Sequence, residues 1–106
     1  MKLFIDDVRK QPEGWARAMS NVSAEAVMEQ YYRSLSDISF DHDDGTHRGF
    51  KPSVEFAVAL FEEGKLKKDK VNITVHSANP IGAQWIINRF KDIDVVCNRV
   101  IYGFQG

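Results

Sequence analysis

Side chains capable of chemistry gather at three points of this 106-residue chain. Asp6-Asp7 stands close to the start. Asp41-His42-Asp43-Asp44-Gly45 lies near the middle, and His76-Ser77-Ala78-Asn79-Pro80 in the second half. Carboxylates brought together repel one another, and a divalent cation relieves that repulsion. Oxygen donors suit Mg²⁺, Mn²⁺ or Ca²⁺. The imidazoles of His42 and His76 widen the choice to Zn²⁺, although so many carboxylates favour Mg²⁺ or Mn²⁺. Asn79-Pro80-Ile81-Gly82 reads as the opening of a helix. The amides of Ile81, Gly82 and Ala83 would then offer an anion site backed by the positive end of a helix dipole. Gly82 costs a helix up to about 1 kcal/mol relative to alanine. Close approach of a ligand to the backbone would explain that cost. Cation, imidazoles and anion cradle together point to phosphoryl chemistry.

Taken singly, each point has an ordinary structural reading. An Asp-Asp pair after a strand is usually a turn or a cap. Asp43-Asp44-Gly45 makes a good turn, Asn-Pro is common at helix starts, and His47 reads as an exposed residue. A Ser-His-Asp hydrolase fits poorly, because Ser77 lies in no G-x-S-x-G elbow and the adjacent His76 cannot easily turn onto it. The weight comes from position: each point closes a short apolar segment.

Those segments are strands over about Lys2–Asp6, Asp37–Asp41 and Val71–His76, with a fourth over Asp94–Val100 and a weaker one over Trp15–Met19. Three amphipathic helices alternate with them. The first spans about Ala24–Ser34, with Ala24, Val27, Met28, Tyr31 and Leu35 apolar; Ser23 is its expected cap, and Val22 with Val27 its staple. The second spans about Pro52–Glu63 and ends at Gly64. The third spans about Pro80–Lys91, capped by Asn79. Strands alternating with helices predict a mostly parallel, doubly wound sheet.

Segment 7–14, between the first two strands, has no room for a helix. It reaches roughly 27 Å extended, enough to run back along a short strand. With the flavodoxin-like order 2-1-3-4-5, right-handed crossovers place all three helices on one face. Ser39, Asn72 and Thr74 share one parity, and Ile38, Phe40, Val71, Ile73 and Val75 the other. The opposite face is therefore expected to be open and wet. In this order the three loaded strand ends are neighbours and converge at the switch point, where open α/β sheets bind ligands. Asp6, Asp41 and His76 would point to the open side, and Asp7, His42 and Ser77 to the other.

Composition excludes several classes. Apolar residues make up 43% and charged residues 27%, as in a folded globular domain. A net charge of −1 argues against a broad nucleic-acid footprint. The lone Cys97 rules out an internal disulfide and a cysteine-rich zinc site. No apolar run is long enough to span a membrane, and the acidic start does not suit a signal peptide. The expectation is a single cytoplasmic domain over residues 1–106.

Leu3-Phe4-Ile5-Asp6-Asp7-Val8-Arg9, Ile38-Ser39-Phe40-Asp41-His42-Asp43 and the string from Ile73 to Gly82 resemble the cyclic-phosphate processing receiver-like family. The Pro12-Glu13-Gly14-Trp15 turn fits as well. This family is a diverged relative of response-regulator receivers. The resemblance implies that Asp6 and Asp7 match the acidic pair that holds Mg²⁺. It matches Asp41 to the phosphate-accepting Asp and Ser77 to the hydroxyl after strand four. Receivers also carry a Lys after strand five, where this chain reads Val96-Cys97-Asn98-Arg99-Val100. The family often has Leu at the place of Asp44, and Gly-Tyr-Asp at Gly49-Phe50-Lys51.

The resulting expectation is metal-assisted hydrolysis or binding of a cyclic phosphate or nucleotide. Asp6, Asp7 and Asp41 would hold a divalent cation. His76 would act as general acid or base, with Asp41 and with His42 as second imidazole or ligand. Ser77, Asn79 and the amides of Ile81, Gly82 and Ala83 would hold phosphate. The alternatives are a non-catalytic module that senses a nucleotide or docks a protein through its open sheet face, and a phospho-acceptor at Asp41.

Overall fold

The computed structural model describes residues 1–101; residues 102–106, at the end of the expected domain, lie outside that description. Five strands and three helices follow in the order β1 (Lys2–Ile5), β2 (Ala16–Ala18), α1 (Asn21–Tyr31), β3 (Asp37–Phe40), α2 (Lys51–Glu62), β4 (Asn72–Val75), α3 (Pro80–Lys91) and β5 (Cys97–Arg99). All strands are parallel, in the order β2-β1-β3-β4-β5. This is the expected receiver-like sheet, and no helix separates β1 from β2. Among the described residues, no helix is long and apolar enough to cross a membrane.

The register explains the layers. Leu3, Ile38 and Ile73 stand side by side, as do Ile5, Phe40 and Val75. These residues form one continuous core with Ala24 and Met28 of α1, Val54, Ala57, Val58 and Phe61 of α2, and Ala83, Ile86 and Phe90 of α3. One sheet face thus takes the apolar stripe of every helix.

The opposite face departs from the expectation. It carries Arg17, Phe4, Ser39, Thr74 and Asn98 in register. Its margins are wet, but Phe4 and Ser39 at its centre are fully buried. Trp15 sets its ring edge-on to Phe4 at 6.1 Å, and His76 stacks on Phe4 at 4.0 Å. The face expected to be open is therefore closed at its middle, because a buried aromatic at the centre recruits aromatic cover.

Three local readings also change. Ser20, not Ser23, caps α1; Ser23 instead completes a capping box with it. Val22 is 80% exposed, so it forms no staple. Tyr31 is exposed, and Tyr32 packs on the core in its place. The strand expected from Asp94 starts only at Cys97, because Asp94 adopts φ 59° and the Val95 amide still bonds Phe90 in α3.

Helix α2 has no cap of its own at Phe50. Asn21 supplies one from α1: its Oδ1 accepts the Ser53 amide at 3.1 Å and the Ser53 hydroxyl, while its Nδ2 donates to Gly49 O at 2.9 Å. Asn21→Ala is expected to cost about 1–2 kcal/mol, the range of a lost N-cap. Thermal unfolding should show a drop on the order of 10 °C for a domain of this size. A change below about 2 °C would mean that Asn21 does not cap α2.

Candidate functional site

The sheet ladder runs one residue past each central strand. Asp6 N–H donates to Ala18 O, Asp41 N–H to Ile5 O and His76 N–H to Phe40 O, at 3.0, 2.9 and 2.9 Å. Asp6, Asp41 and His76 are thereby held abreast at the carboxyl end of the sheet. Oxygens of Asp6, Asp7 and Asp41 lie within 4.8 Å of one another. A pocket of about 200 Å³ opens there, lined by Asp6, Asp41, Asp43, His76, Ser77 and Asn79 together with Arg9. Asp7 belongs to the acidic trio but does not line the pocket.

Asp6 is the most constrained of these groups. Its Oδ1 accepts the amides of Val8 and Arg9 at 2.8 and 2.7 Å, an Asx-type turn that carries the chain off β1. Its Oδ2 accepts from His76 Nε2 at 3.0 Å. Burial pushes the Asp6 carboxyl up, but the His76 hydrogen bond and the two amides outweigh it and hold the group below the usual carboxylate range. Asp41 goes the other way. Burial raises it most and the Asp6 charge adds to that, against the amide of His42 bonded to its Oδ1 at 2.8 Å. Two neighbouring carboxyls are thus pushed apart in acidity by their surroundings.

These opposite directions have opposite consequences for stability. Asp6, depressed in the native state, contributes stability above the unfolded carboxyl value of about 3.9 and loses it as pH falls through its native value. Asp41, raised in the native state, favours folding fully below about 3.9 and loses that contribution as pH rises through its native value. Asp41→Asn is therefore expected to be more stable than wild type at neutral pH in the presence of a chelator. The gap should close as pH falls below about 4. Urea unfolding of both proteins across that range checks it; a gap independent of pH would assign the effect to packing.

His76 has no exposed side-chain surface. Nε2 faces Asp6, and Nδ1 lies 2.7 Å from the fully buried Ser39 hydroxyl. The expected general acid or base is thus engaged at both ring nitrogens. Its geometry suits holding Asp6 rather than exchanging a proton with a ligand.

His42 sits apart from this group. It does not line the pocket. A Cβ added to Gly82 would lie 2.4 Å from its ring, which also approaches the Trp85 ring edge-on at 6.4 Å. Its Nδ1 pairs with Asp43 Oδ1 at 2.8 Å. The small residue at Gly82 is thus explained by the His42 ring, not by an approaching ligand. The two histidines, expected to cooperate, serve different surroundings.

The expected anion cradle is likewise taken. Asn79 Oδ1 accepts the amides of Ile81 and Gly82, both at 3.1 Å, and Asn79 O accepts the Ala83 amide at 2.8 Å. The Asn79 side chain and main-chain carbonyl have already satisfied the donors that a phosphate would use. Ser77 stays in the pocket; its Oγ accepts the Asn79 amide at 3.1 Å and keeps its own O–H to donate. Arg99 lies opposite Val75, with Nη2 on Ser77 O at 3.0 Å, so its guanidinium braces the end of β4.

Two participants escaped the sequence reading. Ser39 belongs by pattern to the wet face, but it shares the parity of His76, which is the signal that they meet. Arg9 follows the acidic pair, and only the turn folded around Asp6 brings it to the pocket.

The model of the cyclic-phosphate processing receiver domain matches residues 1–92. The chain belongs to this family. Among curated proteins and solved structures, no significant match was found. For this receiver domain the match covers β1 through α3, and so all of the acidic trio and the pocket. The matched span stops short of β5 and Arg99.

Proposed function

We propose that this receiver domain recognises a cyclic phosphate or nucleotide at a divalent cation held by Asp6, Asp7 and Asp41. The observation that carries this reading is the meeting of three carboxylates within 4.8 Å at adjoining strand ends. The donor chemistry fits the ion: every donor is a carboxylate oxygen, the set preferred by Mg²⁺ or Mn²⁺ over Zn²⁺. Asp41, raised in part by the charge of Asp6, is the group whose ionisation such an ion would favour. When bound, the cation would neutralise phosphate charge and polarise the phosphorus–oxygen bonds.

The chain's own groups supply the rest. Arg9 offers a guanidinium to phosphate oxygens, and Ser77 an O–H donor. Asp6 is kept ionised and oriented by His76 and two amides. Asp43 and Asn79 border the pocket and bond each other at 3.4 Å, which fixes the side facing α3. The amides of Ile81, Gly82 and Ala83 play no part, being bonded to Asn79.

Recognition is favoured over hydrolysis by one observation: both His76 nitrogens are bonded inside the protein. Hydrolysis would need water to attack phosphorus while the ring phosphorus–oxygen bond breaks and the leaving oxygen gains a proton. No imidazole is placed in the pocket free for that transfer among the described residues.

Calorimetric titration with 2′,3′- and 3′,5′-cyclic nucleotides, with Mg²⁺ and with chelator, tests the reading. Saturable binding that requires Mg²⁺ is expected. Turnover of any of them by the wild type would move the domain to the hydrolase reading. An acid-labile acyl phosphate on Asp41 after exposure to a small phosphodonor would identify a phospho-acceptor. Binding of none, with or without the ion, would refute the proposal.

A further inference from the structure

The buried chain Ser39–His76–Asp6 runs from the middle of the sheet face to the acidic trio, of which Asp6 is a member, and none of its three residues is more than 3% exposed. A carboxylate has about four lone-pair sites for hydrogen bonds. In Asp6, Val8 N–H and Arg9 N–H take the two on Oδ1, and His76 takes one on Oδ2. One site on Oδ2 remains. Asp6 can therefore present a single oxygen to an ion, and the imidazole decides how that oxygen is aimed.

The imidazole must itself be fixed. Asp6 Oδ2 is an acceptor, so Nε2 carries the proton it shares at 3.0 Å. In the neutral ring Nδ1 is then an acceptor. The Ser39 hydroxyl lies 2.7 Å from it and has a proton to give. Ser39 is held on β3 between Ile38 and Phe40, in register with Phe4 on β1, and the His76 ring stacks on Phe4 within 8° of parallel. Ring plane and ring protonation are thus set by two neighbouring strands.

We infer that Ser39 is a positioning residue for the cation site: its hydroxyl fixes His76 as the Nε2–H tautomer, which orients the single oxygen that Asp6 offers. This rests on the cation reading given above. Partners that orient a metal-binding side chain typically change affinity by about 10–100-fold when removed. The hydroxyl is the operative group, so a threonine, which retains it, should substitute for serine.

The test combines two readouts on the full chain. Long-range ¹H–¹⁵N spectra of the labelled imidazoles, recorded in slightly alkaline solution without metal, report which nitrogen carries the proton. Titration with Mg²⁺ and with Mn²⁺ alone reports affinity. Wild type should show His76 protonated at Nε2 and not at Nδ1. Ser39→Ala should shift the Nδ1 resonance and weaken ion binding by about tenfold or more. Ser39→Thr should restore both. A wild-type ring protonated at Nδ1 overturns the inference, and so does Ser39→Ala binding either ion within about twofold of wild type. Wild type that binds neither ion overturns the cation reading and the affinity claim with it, while the nitrogen pattern still decides the tautomer. Should a variant fail to fold, the wild-type spectrum alone retains the power to refute.

Discussion

Magnesium at about one hundred times its dissociation constant is expected to stabilise the wild-type domain by about 2.7 kcal/mol. For a domain of this size that is a rise in Tm on the order of 10 °C. The effect follows from linkage: an ion that binds the assembled trio, and not the separated carboxylates of the unfolded chain, draws the equilibrium towards the native state. Asp41→Asn should abolish most of the rise. It removes one anionic donor from a site whose three donors lie within 4.8 Å. It also removes the partner that Asp6 repels, so the metal-free variant should start from a higher Tm than metal-free wild type. The two curves should therefore cross in rank as Mg²⁺ is added. Differential scanning fluorimetry over a Mg²⁺ series decides it, with K⁺ at matched ionic strength as the screening control. Equal shifts in both proteins would place the ion elsewhere or leave only a salt effect.

His76→Ala should cost about 3–5 kcal/mol, the range for leaving a buried charge, here the Asp6 carboxylate, without its partner. Three losses coincide. Asp6, with a side chain only 3% exposed, would lose the bond that offsets its burial. The fully buried Ser39 hydroxyl would lose its partner. Phe4 would lose a ring stacked at 4.0 Å, leaving a cavity at the middle of the sheet. Against a total stability of about 5–15 kcal/mol this is a large fraction. A general acid or base could be removed with metal binding left intact, but this variant would lose the orientation of Asp6 as well. A double-mutant cycle with Asp6→Ala should give a coupling on the order of 1 kcal/mol or more. A His76→Ala cost below about 1 kcal/mol would mean that the chain from Ser39 to Asp6 contributes little to the fold.

Much of the architecture could be read from the sequence because period and position agreed. The alternation of Ile38, Phe40, Ile73 and Val75 with polar neighbours set the helix-bearing face, and the short segment 7–14 left no place for another helix. The acidic trio was legible for the same reason, since topology alone brings those strand ends together. The finer assignments failed where a side chain had two possible partners. Asn79 can cap its own helix or leave its amides to a ligand, and the local bond, with no loop to order, prevailed. Strand-end parity sends His42 away from Asp41, where it meets Gly82 and Trp85, whereas Asp7, with the same expected direction, joins the trio because the chain has already turned off β1. Phe4 broke the wet-face pattern: one large ring at the centre outweighed the polar residues around it. Ser23 and Ser20 are both competent caps, and only the backbone at Ser20, extended at φ −148°, makes the choice.

The shortness of β2 bears on how the molecule behaves in a crowded solution. It is the outer strand beside β1 and is only three residues long, Ala16–Ala18. An outer strand exposes unpaired backbone donors and acceptors, a template on which another chain can grow a sheet. Here that template ends almost as soon as it begins. Arg17 stands at its middle, with Nε donating to Asp6 O at 3.2 Å. A second copy approaching this margin would meet a guanidinium and too few backbone groups to hold it in register. The compact crossover that leaves out a helix thus also gives the sheet a margin on which self-association by strand addition finds little purchase.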